Sequence, residues 1–162
     1  MGVELYRIDD RLIHGQVVVG WGQPLDIAFI VLVDDEVAGS EWEQELYRMG
    51  VPPEMEVHFV TVDGAAERLP ELRRDPRPGL LLTGDIDTML RLVERDAEIH
   101  AVNIGGIHHK VGRTQRLRYV FLTAEEERML RALAARGVEV TAQDVPTARP
   151  IPLDDALAGK VS

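Results

Sequence analysis

The sequence predicts a single α/β domain with an open, twisted, mainly parallel sheet of about six or seven strands and helices on both faces. Three observations support this prediction. Short apolar runs alternate with segments of helical period along the whole chain. Residues 27–33 form a continuous apolar run, as is typical of a strand buried on both faces. Residues 1–162 contain no linker, internal repeat or low-complexity tract, so one domain is expected.

The predicted strands are short and apolar, and turn or helix signals separate them. They are residues 3–8, 27–33, 56–61, 79–83, 99–103, 119–122 and 138–142. Strands that alternate with helices imply βαβ units, and therefore strands that run mainly parallel.

Two helices have clear end signals. Asp85 is a good N-cap, and the apolar residues after it recur at helical spacing. Thr123 and Glu126 have the spacing of a capping box, and Gly137 is expected to end the helix that follows.

Other segments are less regular. One helix is predicted over residues 35–49, and Asp63 is expected to cap a short helix that Pro70 ends or kinks. Trp21 and Trp42 lie in predicted helices and are expected in the core or at an interface.

The last segments are predicted from their prolines, glycines and charges. Residues 105–115 are polar, basic and glycine-bearing, which favours a long loop. Residues 146–152 are expected to be extended, residues 153–157 to form a short helix, and residues 159–162 to be frayed.

The composition excludes several classes of function. The 28 acidic and 18 basic residues give a net charge of −10, which disfavours binding to nucleic acids and to anionic membrane surfaces. The absence of cysteine excludes disulfides, thiolate metal sites and cysteine nucleophiles. Because the chain lacks a membrane-spanning apolar run and the features of a signal peptide, we expect a cytoplasmic protein without membrane insertion.

The first segment with chemical potential follows the first strand, at the end where open α/β sheets bind ligands. This segment contains His14. A neutral imidazole is a nucleophile, and because no serine or cysteine lies within motif reach, His14 itself is the candidate nucleophile. Arg11 offers a donor fork for phosphate oxygens. A helix that begins near Gly15 or Gln16 would point its first amides at an anion on His14.

The carboxylates of this segment have two interpretations. Asp9 and Asp10 are candidates to orient the imidazole or Arg11, and at least one is expected to point away from a phosphoryl group. The alternative is a solvated histidine in a surface turn with ordinary charges.

A second segment, residues 103–115, follows the fifth strand. Gly105 and Gly106 allow the backbone to approach a ligand closely. The segment adds local positive charge to an acidic chain, which indicates an anion site or an acidic partner. The charged residues are His108, His109, Lys110 and Arg113. The alternative is a mobile loop. A metal site is not expected, because adjacent histidines do not share a face and no other ligand has suitable spacing.

Residues 7–17 (RIDDRLIHGQV) resemble the active-site segment of enzyme IIB components of the mannose/fructose/sorbose family of the bacterial phosphoenolpyruvate-dependent sugar phosphotransferase system. Further segments resemble other signatures of that family in the same order along nearly the whole chain. They are residues 33–38, residues 103–108 with 112–115, and residues 137–140 with 143–146.

The resemblance implies a phosphocarrier. His14 matches the family's phosphoryl acceptor, which is phosphorylated on Nδ1, and Arg11 matches an arginine that holds the transferred group. A phosphohistidine IIA protein is the donor, through Nε2, and a sugar held by membrane IIC and IID partners is the acceptor. The implied activity is that of a protein-Nπ-phosphohistidine–sugar phosphotransferase, peripherally associated with a membrane permease complex and without metal or nucleotide cofactor.

The candidate site residues divide into two groups. His14 and Arg11 are the predicted catalytic residues, with Asp10 as an orienting group. The residues predicted to contact phosphate or a partner are Arg7, Gly15, Gln16, Gly105, Gly106, His108, Lys110 and Arg113.

Two alternative functions stay open from the sequence. One is a regulatory phosphoprotein or IIA-binding module that keeps the fold without sugar transport. The other is a phosphate-ester hydrolase in which Asp9 or Asp10 is the general base. The sequence does not indicate which sugar is handled.

Overall fold

The computed structural model describes residues 2–159, with Gln16 described for its backbone alone, and it contains one seven-stranded sheet. The strands of that sheet are β1 (Gly2–Ile8), β2 (Phe29–Val33), β3 (Glu56–Val60), β4 (Pro78–Thr83), β5 (Ala101–Ile104), β8 (Glu139–Ala142) and β9 (Ile151–Pro152). Their order is β3-β2-β4-β1-β5-β8-β9, and every neighbouring pair is parallel except β8–β9. β6 (Thr114–Leu117) and β7 (Val120–Leu122) form a separate antiparallel hairpin.

Helices cover both faces of the sheet. They are α1 (Gly15–Val17), a π-helical turn (Val18–Gly22) that continues it, α2 (Asp35–Ala38), α3 (Glu41–Arg48), α4 (Val62–Arg73), α5 (Ile86–Arg95), α6 (Ala124–Ala135) and α7 (Leu153–Ala158). The helices α4 to α7 pack on one face, and α1, the π-helical turn, α2 and α3 pack on the other. This arrangement confirms the predicted fold class. None of the helices within residues 2–159 is long and apolar enough to cross a membrane.

The buried strand β2 shows why the sheet needs both layers. Phe29, Val31 and Val33 join the core beneath α4 to α7, whereas Ile30 and Leu32 join the core beneath α1 to α3. Successive side chains of a strand point to opposite faces, so a continuous apolar run requires cover on both.

The predicted helix ends are confirmed where a cap was identified. The Asp85 carboxylate accepts a hydrogen bond from Thr88 N at 2.7 Å. Thr123 and Glu126 form the reciprocal capping box at the start of α6. Other boundaries were wrong, because the predicted helix over residues 35–49 is divided into α2 and α3 at Gly39.

Two further predictions are corrected. Thr61, and not Asp63, caps α4, since its hydroxyl accepts from Gly64 N. The helix is 12 residues long and contains Pro70 rather than ending there. Trp21 is buried in the core, and 70% of Trp42 is exposed, so for Trp42 only the interface alternative of that prediction remains.

The predicted number of strands in the sheet is correct, but one of the predicted strands is not part of it. Residues 119–122 were predicted among the strands of the sheet, but β7 belongs to the hairpin, and the seventh strand is the short β9 in the predicted extended tail. The predicted loop ends before Thr114, where β6 begins. The predicted frayed tail begins at Gly159, which caps α7 with a φ of 66°, and its other members lie outside the described residues.

Candidate active site

The segments after β1 and β5 meet because their strands are parallel neighbours. Arg7 pairs with Asn103 and Ile8 with Ile104. Beyond the strands, Gly105 N donates to the Ile8 carbonyl at 2.7 Å. Asp10 N then donates to the Gly106 carbonyl at 2.9 Å. The two segments predicted from the sequence therefore form one surface at the carboxyl edge of the sheet.

His14 is exposed at the point where α1 begins. Its carbonyl accepts from Val17 N at 2.9 Å and from Val18 N at 2.8 Å, which fixes the backbone of the first helical turn. Ile13 and Val17 are buried on either side, so the exposed histidine stands on an anchored backbone. The first amides of a helix have no acceptor within the helix, as the prediction of an anion-binding turn requires.

Asp9 holds Arg11 through three hydrogen bonds. Arg11 Nε donates to Oδ1 at 2.8 Å, Nη2 donates to Oδ2 at 2.6 Å, and the Arg11 backbone N donates to Oδ1 at 3.1 Å. Burial alone would raise the pKa of Asp9, but the hydrogen bonds and charge of Arg11, with the charge of Arg7, outweigh it and hold that pKa below its usual range. The guanidinium of Arg11 is thus held in place beside a fixed carboxylate.

Arg7 is completely buried beneath this pair. Its guanidinium donates to the Asn103 side chain, to the Gln143 carbonyl at 2.9 Å and to Asp9 Oδ2 at 3.3 Å. It also lies 4.3 Å from the centroid of the Trp21 ring. Burial lowers the pKa of Arg7 to about 10, which leaves it charged at neutral pH.

The burial of Arg7 corrects the prediction that it contacts phosphate or a partner. No part of its side chain reaches solvent. Its two Nη atoms donate to Asn103 on β5, to carbonyls just after β8 and to Asp9, and its Nε has no hydrogen-bond partner among the described residues. Arg7 therefore supports the Asp9–Arg11 pair from below.

Asp10 faces the second segment instead of Arg11. Its Oδ2 accepts from His108 N at 2.7 Å, and its Oδ1 lies 2.5 Å from His108 Nδ1. Asp9 therefore orients Arg11, and the prediction that Asp10 orients the imidazole of His14 stays a prediction. Asp10 fixes the imidazole of His108.

Close approach requires glycine at Gly105, whereas a Cβ at Gly106 would make ordinary contacts. A Cβ on Gly105 would lie 2.5 Å from Asp9 Oδ2 and would also collide with the Arg7 guanidinium. A Cβ on Gly106 would lie 3.4 Å from both Arg11 Nε and His108 Cε1, so these two side chains are neighbours across the glycine. Gly105 therefore lets side chains of the site pack against the backbone, and contact of Gly105 and Gly106 with phosphate or a partner stays a prediction.

The remaining loop candidates differ in their surroundings. Lys110 is exposed. Arg113 donates to both carboxylate oxygens of Glu126, at 2.9 and 2.7 Å, and to the His108 carbonyl at 2.8 Å. The Arg113 guanidinium thus ties the loop to α6, and its contact with phosphate or a partner stays a prediction. Gly15 is exposed beside His14, and the side chain of Gln16 lies outside the described part of the structure.

Sequence reasoning missed the residues that hold Arg7. Asn103 lies on β5, Gln143 directly follows β8, and Trp21 lies in the π-helical turn. The available signal was Asn103 itself, because an amide in an otherwise apolar strand must find a buried partner. Within residues 2–159, no three or more His, Asp or Glu side chains are grouped as ligands for a metal ion.

Comparisons with known proteins match nearly the whole chain to one protein family. Residues 3–162 match the family model described as PTS system sorbose subfamily IIB component. The PTS system mannose-specific EIIAB component of Escherichia coli K12 is 34% identical over 152 residues, which cover 91% of this chain and 46% of that protein. The chain therefore spans about half the length of this curated relative.

Two further comparisons cover nearly all of both proteins. The N-acetylgalactosamine-specific phosphotransferase enzyme IIB component 1 of Escherichia coli K12 is 32% identical, with 88% of this chain and 90% of that protein covered. The crystal structure of the IIBSor domain of the sorbose permease from Klebsiella pneumoniae superposes with a TM-score of 0.88 at 28% identity, with 98% and 97% covered.

Proposed function

Since the chain belongs to the sorbose subfamily of phosphotransferase-system IIB components, we propose that it is a phosphotransfer subunit of sugar uptake in which His14 receives and passes on the phosphoryl group. The donor is the phosphohistidine of a IIA protein, and the acceptor is a sugar held by membrane IIC and IID components. The observation that supports this proposal best is the exposed His14 at a helix start, three residues after an arginine that a buried carboxylate holds.

The first step exchanges one P–N bond for another. The unprotonated ring nitrogen of His14, which we assign as Nδ1, attacks the phosphorus of the donor phosphohistidine in line with the departing nitrogen. The donor imidazole leaves with the electron pair of the broken bond. In the second step a sugar hydroxyl attacks the phosphorus, the P–N bond to His14 breaks, and the imidazole regains its lone pair as the hydroxyl proton is lost.

The chain contributes mainly position and charge. Arg11 is held by Asp9 before the phosphoryl group arrives, so little reorganisation is needed when charge builds up on the phosphoryl oxygens. Its positive charge is shared with Asp9, which limits how tightly it binds the group. A carrier needs this balance, because it must release the phosphoryl group as readily as it accepts it.

The exposed part of the second segment supports a docking role. His108 and Lys110 are exposed on the same edge as His14, and their basic side chains suit an acidic surface on the IIA donor. We assign the IIA docking contact to these two residues. The protein then shuttles between the IIA donor and a membrane complex at the cytoplasmic surface.

The test is mass spectrometry of the intact chain after incubation with phosphoenolpyruvate, the general phosphotransferase proteins and a IIA donor. At the end of the reaction we expect one acid-labile phosphoryl group on the wild-type chain and on His108→Ala, which should be labelled more slowly because it lacks a docking contact, and none on His14→Ala. NMR of the labelled imidazole should identify Nδ1 as the modified atom. Labelling that persists in His14→Ala would overturn the proposal, as would label that membranes with IIC, IID and sugar cannot discharge.

A further inference from the structure

Large apolar side chains that stay exposed are unevenly distributed over residues 2–159. Three lie on α3 and its C-cap, two on the π-helical turn and the turn after it, and two in loops at the edge that carries His14. They are Trp42, Leu46, Met49, Val19, Leu25, Val111 and Val145. The helices α4 to α7, which cover the opposite face, have none. One layer of the molecule thus leaves apolar surface in water and the other does not.

The exposed residues of α3 form a continuous stripe. Trp42, Leu46 and Met49 are spaced at i, i+4 and i+7, so they share one side of the helix. Their exposed fractions are 70%, 55% and 83%. Tyr47, on the other side of α3, packs against the sheet. Single exposed apolar residues are ordinary, whereas a contiguous stripe marks an interaction surface.

The stripe lies in the most acidic part of the chain. Residues 34–49 contain six acidic residues and one basic residue, so this short segment supplies half of the net charge of −10. The acidic residues of α3 are Glu41, Glu43 and Glu45, for which the structure records no ion pair with any residue of 2–159. The carboxylates of α4 and α6, in contrast, include pairs with arginine, as in Asp63 with Arg95.

The charge excludes two classes of occupant. A second copy of the chain would bring two acidic helices together, and like charges across an interface repel. A membrane surface of anionic lipids repels the segment for the same reason. A partner that covers the stripe must therefore present apolar side chains surrounded by lysine and arginine.

Membrane proteins carry an excess of positive charge on their cytoplasmic side. Their short cytoplasmic loops are enriched in lysine and arginine. We propose that the α3 docking surface, which comprises Trp42, Leu46 and Met49 with Glu41 and Glu45, binds lysine- and arginine-rich cytoplasmic loops of the membrane component that receives the phosphoryl group. This inference rests on the proposed function, and it adds the surface by which the carrier reaches its acceptor.

The topology supports the same orientation. α2 begins directly after β2, at the carboxyl edge of the sheet, and α3 must return toward the opposite edge because β3 is parallel to β2. The Trp42 end of α3 is therefore the end nearer to His14. A partner on the stripe would stand beside the reactive edge while leaving the loop with His108 and Lys110 accessible. Three side chains make a small interface, as a carrier that must dissociate after each transfer requires.

The test compares two double charge reversals that differ only in the face of the sheet on which the substituted helix lies. Glu41→Lys with Glu45→Lys alters the α3 docking surface, and Glu67→Lys with Glu71→Lys makes the same change at the same spacing on α4. All four glutamates are exposed or half-exposed, so both variants are expected to fold. The probe is inverted membrane vesicles that contain the IIC and IID components, with vesicles that lack them and anionic liposomes as controls.

We expect binding to the IIC/IID vesicles, and phosphoryl transfer to sugar at limiting carrier, to fall about tenfold in the α3 variant and to change little in the α4 variant. Trp42→Gln with Leu46→Gln should weaken binding without changing net charge. Phosphorylation of His14 by the IIA donor should be unchanged in all of them, which separates this surface from the proposed function.

Four results would overturn the proposal. The first two are an equal loss of IIC/IID vesicle binding in the two charge variants and slower phosphorylation of the α3 variant by the IIA donor. The other two are binding of the wild-type chain to anionic liposomes and self-association of the wild-type chain that Trp42→Gln abolishes. A wild-type chain that binds the IIC/IID vesicles but is not phosphorylated at His14 would contradict the proposed function and leave the docking surface supported.

Discussion

Removing the charge of the Asp9 carboxylate should lower the stability of this structure strongly. It is completely buried, and it accepts hydrogen bonds from Arg11 at 2.8 and 2.6 Å and from Arg7 at 3.3 Å. The substitution Asp9→Asn keeps the size of the side chain and removes its charge. One end of the amide would then present hydrogen atoms to a guanidinium that can only donate.

The expected loss follows from the buried charge left behind. Removing one partner of a buried ion pair costs about 3–5 kcal/mol, because the remaining charge stays buried without compensation. In a domain of this size, a loss of 1 kcal/mol lowers Tm by about 2–4 °C. Asp9→Asn should therefore lower Tm by roughly 6–20 °C, and it should slow phosphorylation of His14, since Arg11 loses its anchor.

The neighbouring carboxylate provides the control. Asp10 pairs with His108 at the surface, where the two side chains are 23% and 64% exposed. Such a pair contributes about 1 kcal/mol or less, so Asp10→Asn should reduce the free energy of unfolding only slightly. Urea titrations of both variants measure the difference. If Asp9→Asn loses no more stability than Asp10→Asn, the view of Asp9 as the buried centre of the site is wrong.

Three other perturbations test the same structure. Burial alone would raise the pKa of Asp9, but its arginine partners outweigh burial and lower this pKa. The ionised carboxylate therefore contributes its full stability above the unfolded-state pKa of about 3.9, and this contribution is lost as the pH falls through the lower folded-state pKa. Asp9→Asn should for this reason flatten the decline in unfolding free energy below about pH 4. Gly105→Ala, which would place Cβ 2.5 Å from Asp9 Oδ2, should destabilise the fold by about 1–3 kcal/mol or more, whereas Gly20→Ala, with no atom within 4 Å, should be nearly neutral in the same urea titration. Thr123→Ala removes the capping box of α6 and should cost about 1 kcal/mol, and an equal unfolding free energy in this variant would contradict that role.

The fold was largely predictable because its signals are local. An apolar run such as residues 27–33 identifies a strand buried on both faces, and the caps at Asp85 and Thr123 depend on residues within one turn. The exchange of β7 for β9 in the sheet was not predictable in this way. Which strands pair is decided by tertiary packing, and residues 119–122 are equally apolar in either place.

The site was predictable in its position but not in its internal contacts. His14 and the start of α1 follow from local sequence, because a polar turn between a strand and a helix exposes its side chains. Asp9 and Asp10 look alike in the sequence, and only the strand alternation that continues from Arg7 directs Asp9 inward. Arg7 was misjudged because arginine is rarely buried, and the groups that permit its burial come from distant parts of the chain.

The central position of β1 has a consequence for biosynthesis. This strand precedes its neighbours β4 and β5 in the chain, yet it lies between them, and Arg7 finds its amide and carbonyl partners 96 and 136 residues later. A nascent chain on the ribosome therefore carries His14 long before the groups that organise its surroundings exist. Closure of such distant contacts is slow, so the surroundings of His14 are complete only when translation of the domain is almost finished.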